Sequence, residues 1–298
     1  APIGHGDWCP TKKSAGAQRV GWIDLVINIF KEFCNMLIND HFQNFKVYGI
    51  PKAQLVIADI PYNVGKNAYG SNPSWYIDGN NKNGQSELAG KNFFDTDKDF
   101  KPAEFMHFCS KMLRPEPKEK GNAPCMIVFC EFEQQFYLIE LAKKYGINNY
   151  INLVFRKNFS AQVLKANMRV VGNAEYALLL YRDKLPKFNN GGKMIFNVMD
   201  WVKDTANEKI HPTQKPVALL KTLIQIFTDE GDVVIDPVAG SGSTLVAAIE
   251  CNRKAFGFEI KKDFYAKAKA WVDRAEAQGM LFKDHHRKQW RGEQQVIL

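Results

Sequence analysis

The sequence predicts an α/β protein built on a doubly wound, mostly parallel sheet. Three observations predict it. Short apolar, β-branched segments alternate with segments of helical periodicity. A glycine-rich turn joins one of these strands to the helix that follows it. Two of the strands end on an aspartate within two residues of a proline, at Asp59 and Asp236. The 298 residues are 45% hydrophobic and 12% aromatic, enough to build a core and too much for a disordered chain. Lys and Arg number 40 against 32 Asp and Glu, a net charge of +8 that is compatible with a polyanionic partner. No apolar run approaches the length of a membrane span, and residues 1–20 lack the layout of a signal peptide.

Residues 1–20 are polar and irregular and read as a poorly ordered arm, and 21–275 as a single domain. From 22 to 38, Leu25, Val26, Ile29, Phe30, Phe33 and Leu37 recur at near-helical spacing. Residues 55–60 form a short buried strand closed by Pro61. The stretch 63–99 is rich in Asn, Gly, Ser and Lys and reads as a functional loop. Then follow a helix at 105–113, a strand at 126–130, a helix at 132–145, and strands at 150–155 and 176–181. Residues 182–210 read as loop, with a hinge at Asn189, Asn190, Gly191 and Gly192. A helix starts at Pro216, with Leu219, Leu220, Leu223, Ile224 and Phe227 on one face, and closes at Gly231. Strands at 233–236 and 255–260 alternate with helices at 243–251 and 264–275. The remainder, 276–298, is a basic tail carrying His285, His286, Arg287 and Lys288; the paired histidines lack a third ligand, so no metal site is expected. The six cysteines, Cys9, Cys34, Cys109, Cys125, Cys130 and Cys251, form no CxxC pair and read as packing residues of a cytoplasmic protein.

The chemistry concentrates in two turns. Asp236, Val238, Ala239, Gly240, Ser241, Gly242 and Thr244 span the first, between a strand and a helix N-terminus that offers free N–H donors. Glu259 closes the next strand, where a carboxylate can accept hydrogen bonds from ribose hydroxyls. The third glycine of a dinucleotide fingerprint and the GK[ST] ending of a P-loop are both absent. An acidic residue directly after the strand repels phosphate but can hold an ammonium group. Asp236 therefore favours an amino-acid-bearing nucleoside, S-adenosylmethionine. The second turn, Asp59, Ile60, Pro61 and Tyr62, also ends a strand, and in open α/β sheets ligands bind beyond such carboxyl ends.

These two turns, with His211-Pro-Thr-Gln-Lys-Pro216 between them in the chain, resemble the β class of DNA amino-methyltransferases. That class places its [DNS]PP[YFW] catalytic motif first, then a target-recognition segment, then HPTQKP, then DPFxGSG. The resemblance covers roughly residues 50–275. It implies a Rossmann-like methyltransferase sheet, mostly parallel with an antiparallel edge strand, in circularly permuted motif order. It implies that Asp59 and the carbonyl of Ile60 draw the hydrogens of an adenine N6 out of the ring plane, and that Tyr62 stacks on the flipped base. It also implicates Thr213 and Lys215 at the cofactor's methionine end. The family's first proline is Ile60 here and its phenylalanine is Val238. Any residue supplies a carbonyl, and Pro61 still biases residue 60 toward extended geometry.

Double-stranded DNA is then the expected partner. Lys66 and Lys82 lie in the loop after the catalytic turn; Arg156, Lys157, Gln162, Lys165, Asn167 and Arg169 in a second loop at 156–170; Asn189 and Lys193 in a short recognition insert at 184–210. Lys and Arg suit phosphates, and Asn and Gln suit adenine edges. A homodimer and a cognate restriction endonuclease are further partners in keeping with the resemblance. Cytosine-N4 or RNA methylation on the same fold, and a catalytically weak DNA-binding paralogue, are the competing readings.

Overall fold

Uninterrupted apolar runs set the centre of the sheet. In the computed structural model, residues 35–62, 100–157, 162–163, 171–205, 207, 209–211 and 214–294 are described, with side chains outside 162–163, 171 and 280–294. Strand β3, Cys125–Cys130, is buried at all six positions, as a strand covered on both faces must be. Beside it lies β2, Leu55–Asp59, in parallel register from Leu55 opposite Cys125 to Asp59 opposite Phe129. β9, Val233–Asp236, pairs with the other side of β2, so the two aspartate-bearing strand ends are neighbours. β10, Lys254–Phe258, and β1, Met36–Ile38, extend that side in parallel. On the other side come β7, Ala174–Tyr181, then β4, Asn149–Lys157, then β8, Val198–Trp201. The order is β1-β10-β9-β2-β3-β7-β4-β8, with a separate two-stranded pair of β5, Gln162–Val163, and β6, Val171–Gly172.

Helices cover both faces. On one, α1, Pro102–Met112, buries Phe105, Met106, Phe108, Cys109 and Met112 at helical spacing, and α2, Phe132–Lys144, buries Leu138, Leu141 and Ala142. A short 3-10 helix, Phe42–Val47, adds Phe42 to that core. The opposite face is packed by α3, Val217–Phe227, α4, Ser243–Glu250, and the first half of α5, Lys262–Gln294. Side chains of β2 alternate between the two cores, Leu55 and Ile57 toward α3 and α4, Val56 and Ala58 toward α1.

The structure departs from the sequence expectations at definite places. The antiparallel strand is not at the edge: β7 runs against β3 on one side and β4 on the other. The described part of the segment between β4 and β7 contains the antiparallel β5-β6 pair, and antiparallel neighbours need no crossover between them. The edge strand is β8, parallel to β4 and lying inside the stretch expected to be loop. Met36–Ile38 form a strand rather than the end of a helix, because β10 offers them an open parallel partner. α3 stops at Phe227, with Thr228 extended, and Gly231 instead shapes the turn into β9. α5 continues to Gln294, through residues rich in helix formers, where the tail was expected to begin at 276.

One close approach fixes how α4 sits on the sheet. A Cβ at Gly257 in β10 would stand 2.7 Å from Leu245 Cδ1, 3.1 Å from the Asp236 carbonyl and 3.2 Å from Ala239 Cβ. Gly257→Ala therefore overpacks the contact beneath the glycine-rich turn, at a cost of about 1–3 kcal/mol. Thermal unfolding reads this as a midpoint lowered by about 2–4 °C per kcal/mol, and an unchanged midpoint refutes the packing account.

Candidate active site

Seven of the eight strands of the main sheet point one way, so their carboxyl ends form one rim, and the start of the reversed β7 joins it. The glycine-rich turn follows β9 on this rim. Gly240 and Gly242 take φ of +51° and +79°, a left-handed backbone that favours glycine. Gly242 also sits where a Cβ would meet Ala268 at 3.2 Å and Val272 at 3.3 Å, so α5 packs directly on the turn. The Asp236 side chain folds back to accept the Val238 N–H at 3.0 Å. Burial pushes its carboxyl up to about 7, against the pull of its hydrogen bonds from Thr244 and Val238. Ala239 donates to the Phe258 carbonyl at 2.8 Å, tying the turn to the end of β10. Ser241, Ser243 and Thr244 are buried at the start of α4.

Glu259 accepts the Gly240 N–H at 2.9 Å on one oxygen and the Lys261 N–H at 2.7 Å on the other. It thus fixes the turn, and with about four lone-pair sites on its two oxygens the carboxylate still has acceptor capacity for a hydroxyl. His211 lies against Gly240 and packs on Phe264 at 4.5 Å between ring centres. Burial, with Lys215, Lys261 and Lys209 nearby, lowers its pKa to about 4, so the ring is neutral at pH 7. Asn39, just past β1, donates to the Glu259 carbonyl at 2.7 Å, which brings the end of β1 to this rim as well.

The second turn follows β2. The Ile60 side chain is 2% exposed and belongs to the core packed by α1, so the residue that replaces a proline fills an apolar site. Gln134, in the first turn of α2, donates to the Pro61 carbonyl at 2.9 Å while its own carbonyl accepts the Glu131 N–H at 2.9 Å. Asp59 Oδ2 is paired with the Lys215 ammonium at 2.7 Å. Asp59 Oδ1 is buried and has no hydrogen-bond partner among the described residues. Burial raises the Asp59 pKa, and Lys215 draws it only part of the way back.

Lys215 therefore stands against the catalytic turn. Its ammonium lies over the rings of Phe129, Tyr62 and Trp201, at 5.2, 5.3 and 5.5 Å, and donates to the Tyr62 hydroxyl at 3.2 Å. A second carboxylate completes the cluster. Glu175, at the start of β7, accepts the Tyr62 hydroxyl at 2.7 Å on one oxygen and Lys157 at 2.7 Å on the other, with Lys215 at 3.9 Å. Burial pushes the Glu175 carboxyl up, but Lys215 and Lys157 outweigh it and its pKa ends below the ordinary value. Glu175 and Gln134 escape a reading by motif, since each is a single polar residue with no neighbour in sequence that marks it, whereas His211 opens the HPTQKP segment.

The residues expected to meet DNA fall into three groups. Lys66, Lys82, Lys165, Asn167 and Arg169 lie outside the described residues, as does Thr213, and only the backbone of Gln162 is described. Arg156 is exposed and paired with Asp200 at 2.7 Å. Two assignments are corrected. Lys157 is no free phosphate contact, because it is mostly buried and holds Glu175. Asn189 is at the wrong end of the sheet: its N–H donates to the Ile226 carbonyl at 2.7 Å and its side chain to Thr228 and Asp229, at the end of α3. The chain there runs along the amino ends of the strands, with Pro186 bridged to Ala123 just before β3. Lys193 is exposed and closes a turn onto the Asn190 carbonyl at 3.0 Å.

A glycine turn held by an acid at the end of the next strand lies beside an Asp-Ile-Pro-Tyr turn one strand away, the arrangement that the resemblance to the nucleoside-dependent methyltransferase class implies on a doubly wound sheet. Comparison with known proteins gives the family. The model of the N6/N4 DNA methylase family matches residues 53–270, almost three quarters of the chain, and the chain belongs to this family. The Escherichia coli protein YubD is 31% identical over 179 residues, 59% of this chain and 73% of that one. The DNA adenine methyltransferase YhdJ of Escherichia coli is 35% identical over 136 residues, 45% of this chain and 42% of that one. In structure, M1.HpyAVI bound to S-adenosylmethionine superposes with a TM-score of 0.54 at 20% identity, over 79% of this chain and 98% of that one, a likeness of fold. Among the described residues no helix is long and apolar enough to cross a membrane.

Proposed function

We propose that this protein transfers a methyl group from S-adenosylmethionine to the N6 amino group of an adenine flipped out of duplex DNA. One observation carries the reading: Asp59 presents a buried oxygen, Oδ1, with no partner among the described residues, while Lys215 occupies the other. Such an atom is costly unless something donates to it, and an exocyclic amine is a donor. Asp59 accepts one N6 hydrogen and the Ile60 carbonyl the other, which localises the lone pair for attack. Tyr62 stacks on the base, and about 1–3 kcal/mol of stacking offsets part of the cost of flipping. The names of relatives support adenine, as does the aspartate itself, since cytosine-N4 members of the class more often carry serine.

The residues of the first turn fit the cofactor. Gly240 and Gly242 let the backbone approach it, Glu259 keeps acceptor capacity for ribose hydroxyls, and Asp236 is the acid proposed for its ammonium group. When bound, the cofactor supplies an electrophilic methyl carbon, and the transfer needs orientation rather than a covalent enzyme nucleophile. Arg156, with the loops at 63–100 and 158–170, is the proposed source of phosphate and base contacts, while Lys193 shares the amino-end position of Asn189. Type II methyltransferases among the relatives make a cognate endonuclease the partner to seek, and a homodimer the assembly to test.

The test is transfer of labelled methyl from S-adenosylmethionine to duplex DNA and, in parallel, to RNA, followed by nucleoside digestion. The expected product is N6-methyldeoxyadenosine. Label found on cytosine N4, or on RNA alone, overturns the reading.

A further inference from the structure

The mechanism above uses the ring of Tyr62 but not its hydroxyl, since phenylalanine stacks on a base as well as tyrosine does. Yet that hydroxyl is the most tightly engaged part of the side chain. It donates to Glu175 at 2.7 Å and accepts from Lys215 at 3.2 Å. Glu175 is in turn held by Lys157 at 2.7 Å, and both members of that pair have under a fifth of their side chain exposed. Trp201, at the end of β8 and 6% exposed, lies beneath both lysines, at 5.9 Å from Lys157 and 5.5 Å from Lys215. Lys157 and Lys215 each stand against a carboxylate of the cluster, Glu175 and Asp59.

We propose that Glu175 is a positioning residue for base capture: by gripping the Tyr62 hydroxyl, with Lys157 as its counter-ion, it locks the ring in the plane on which the flipped base stacks. This rests on the function proposed above. Two side-chain torsions place a tyrosine ring, and an anchor at its far end restrains both. The anchor comes from the start of β7, a strand that carries neither of the two turns. Glu175 touches none of the reacting atoms, so it acts on engagement of the base and not on the methyl donor.

Steady-state methylation of duplex DNA by the wild type, Glu175→Gln, Tyr62→Phe and the double variant tests this, with cofactor affinity measured separately. Each single change is expected to raise KM for DNA about tenfold, the worth of a charge-assisted hydrogen bond, and Glu175→Gln to do so with little change in kcat or cofactor affinity. The double variant is expected to be no worse than the more affected single one, because both remove the same contact. A 2-aminopurine at the target position should lose its stacking quench in each variant. Losses that multiply in the double variant overturn the proposal, as does an unaltered KM in Tyr62→Phe, which decides the matter even if Glu175→Gln does not fold. A wild type that transfers no methyl to DNA refutes the proposed function instead, and the two failures are separate.

Discussion

Asp59→Ala abolishes methyl transfer, with a loss of about a thousandfold or more, and leaves cofactor affinity essentially unchanged. The first half follows from the loss of both carboxylate oxygens, including the buried Oδ1 that awaits a donor. An amine conjugated with its ring is a poor nucleophile, and no other described carboxylate ends beside the Pro61–Tyr62 turn with an oxygen unspoken for. The second half follows from the separation of the two turns on adjacent strands: Asp236, the glycines and Glu259 are held by contacts that do not include Asp59. Single-turnover transfer and calorimetric titration of cofactor measure the two halves. Activity within tenfold of wild type removes Asp59 from the chemistry.

Lys215→Met is the second large effect, and it acts on stability and on pH dependence together. The change removes the cation that stands 2.7 Å from Asp59 and 3.9 Å from Glu175, and it leaves two buried carboxylates facing each other. Breaking a buried pair from one side costs about 3–5 kcal/mol. The pKa of Asp59 is already raised by burial, and without Lys215 it rises further. A carboxyl whose pKa is higher folded than unfolded binds protons more tightly in the folded state. Its folded state loses stability as pH rises through that interval. The deficit of the variant is therefore largest above the raised pKa and shrinks as the solution is acidified. The hydrogen-bond-acceptor role of Asp59 toward the amine needs the carboxylate ionised, so the acid limb of the pH–rate profile moves to higher pH. Unfolding midpoints at two pH values and a pH–rate profile test both parts. A variant with unshifted midpoint and unshifted limb shows that Lys215 does not balance Asp59.

The two turns were legible because each is local. Asp59 to Tyr62 and Asp236 to Thr244 are contiguous, and strand, turn and helix are coded by neighbouring residues. What the sequence hid was non-local. Glu175 is one acid at the start of an otherwise apolar strand, and only the reversal of β7 carries it to the rim where Tyr62 ends. Asn189 has the right chemistry for adenine, but which end of the sheet a chain crosses is set by pairing partners that no periodicity reveals. Met36–Ile38 follow an apolar spacing that continues from 22, and only the open edge of β10 makes them a strand. β8 is four residues long, too short to stand out in a polar stretch.

The reversal of β7 also bears on how such a protein diversifies. In an all-parallel sheet each connection must return to the far side through a crossover, so a change of its length disturbs a helix and the core under it. The connection between β4 and β7 instead leaves and re-enters on the same side, with the Lys157 N–H bonded to the Asn173 carbonyl at 2.7 Å and Lys157 lashed to Glu175 across its two stems. The two strand ends that flank residues 158–172 are thus clamped to each other. A segment of another length between these clamped ends leaves the register of β4 and β7 unchanged.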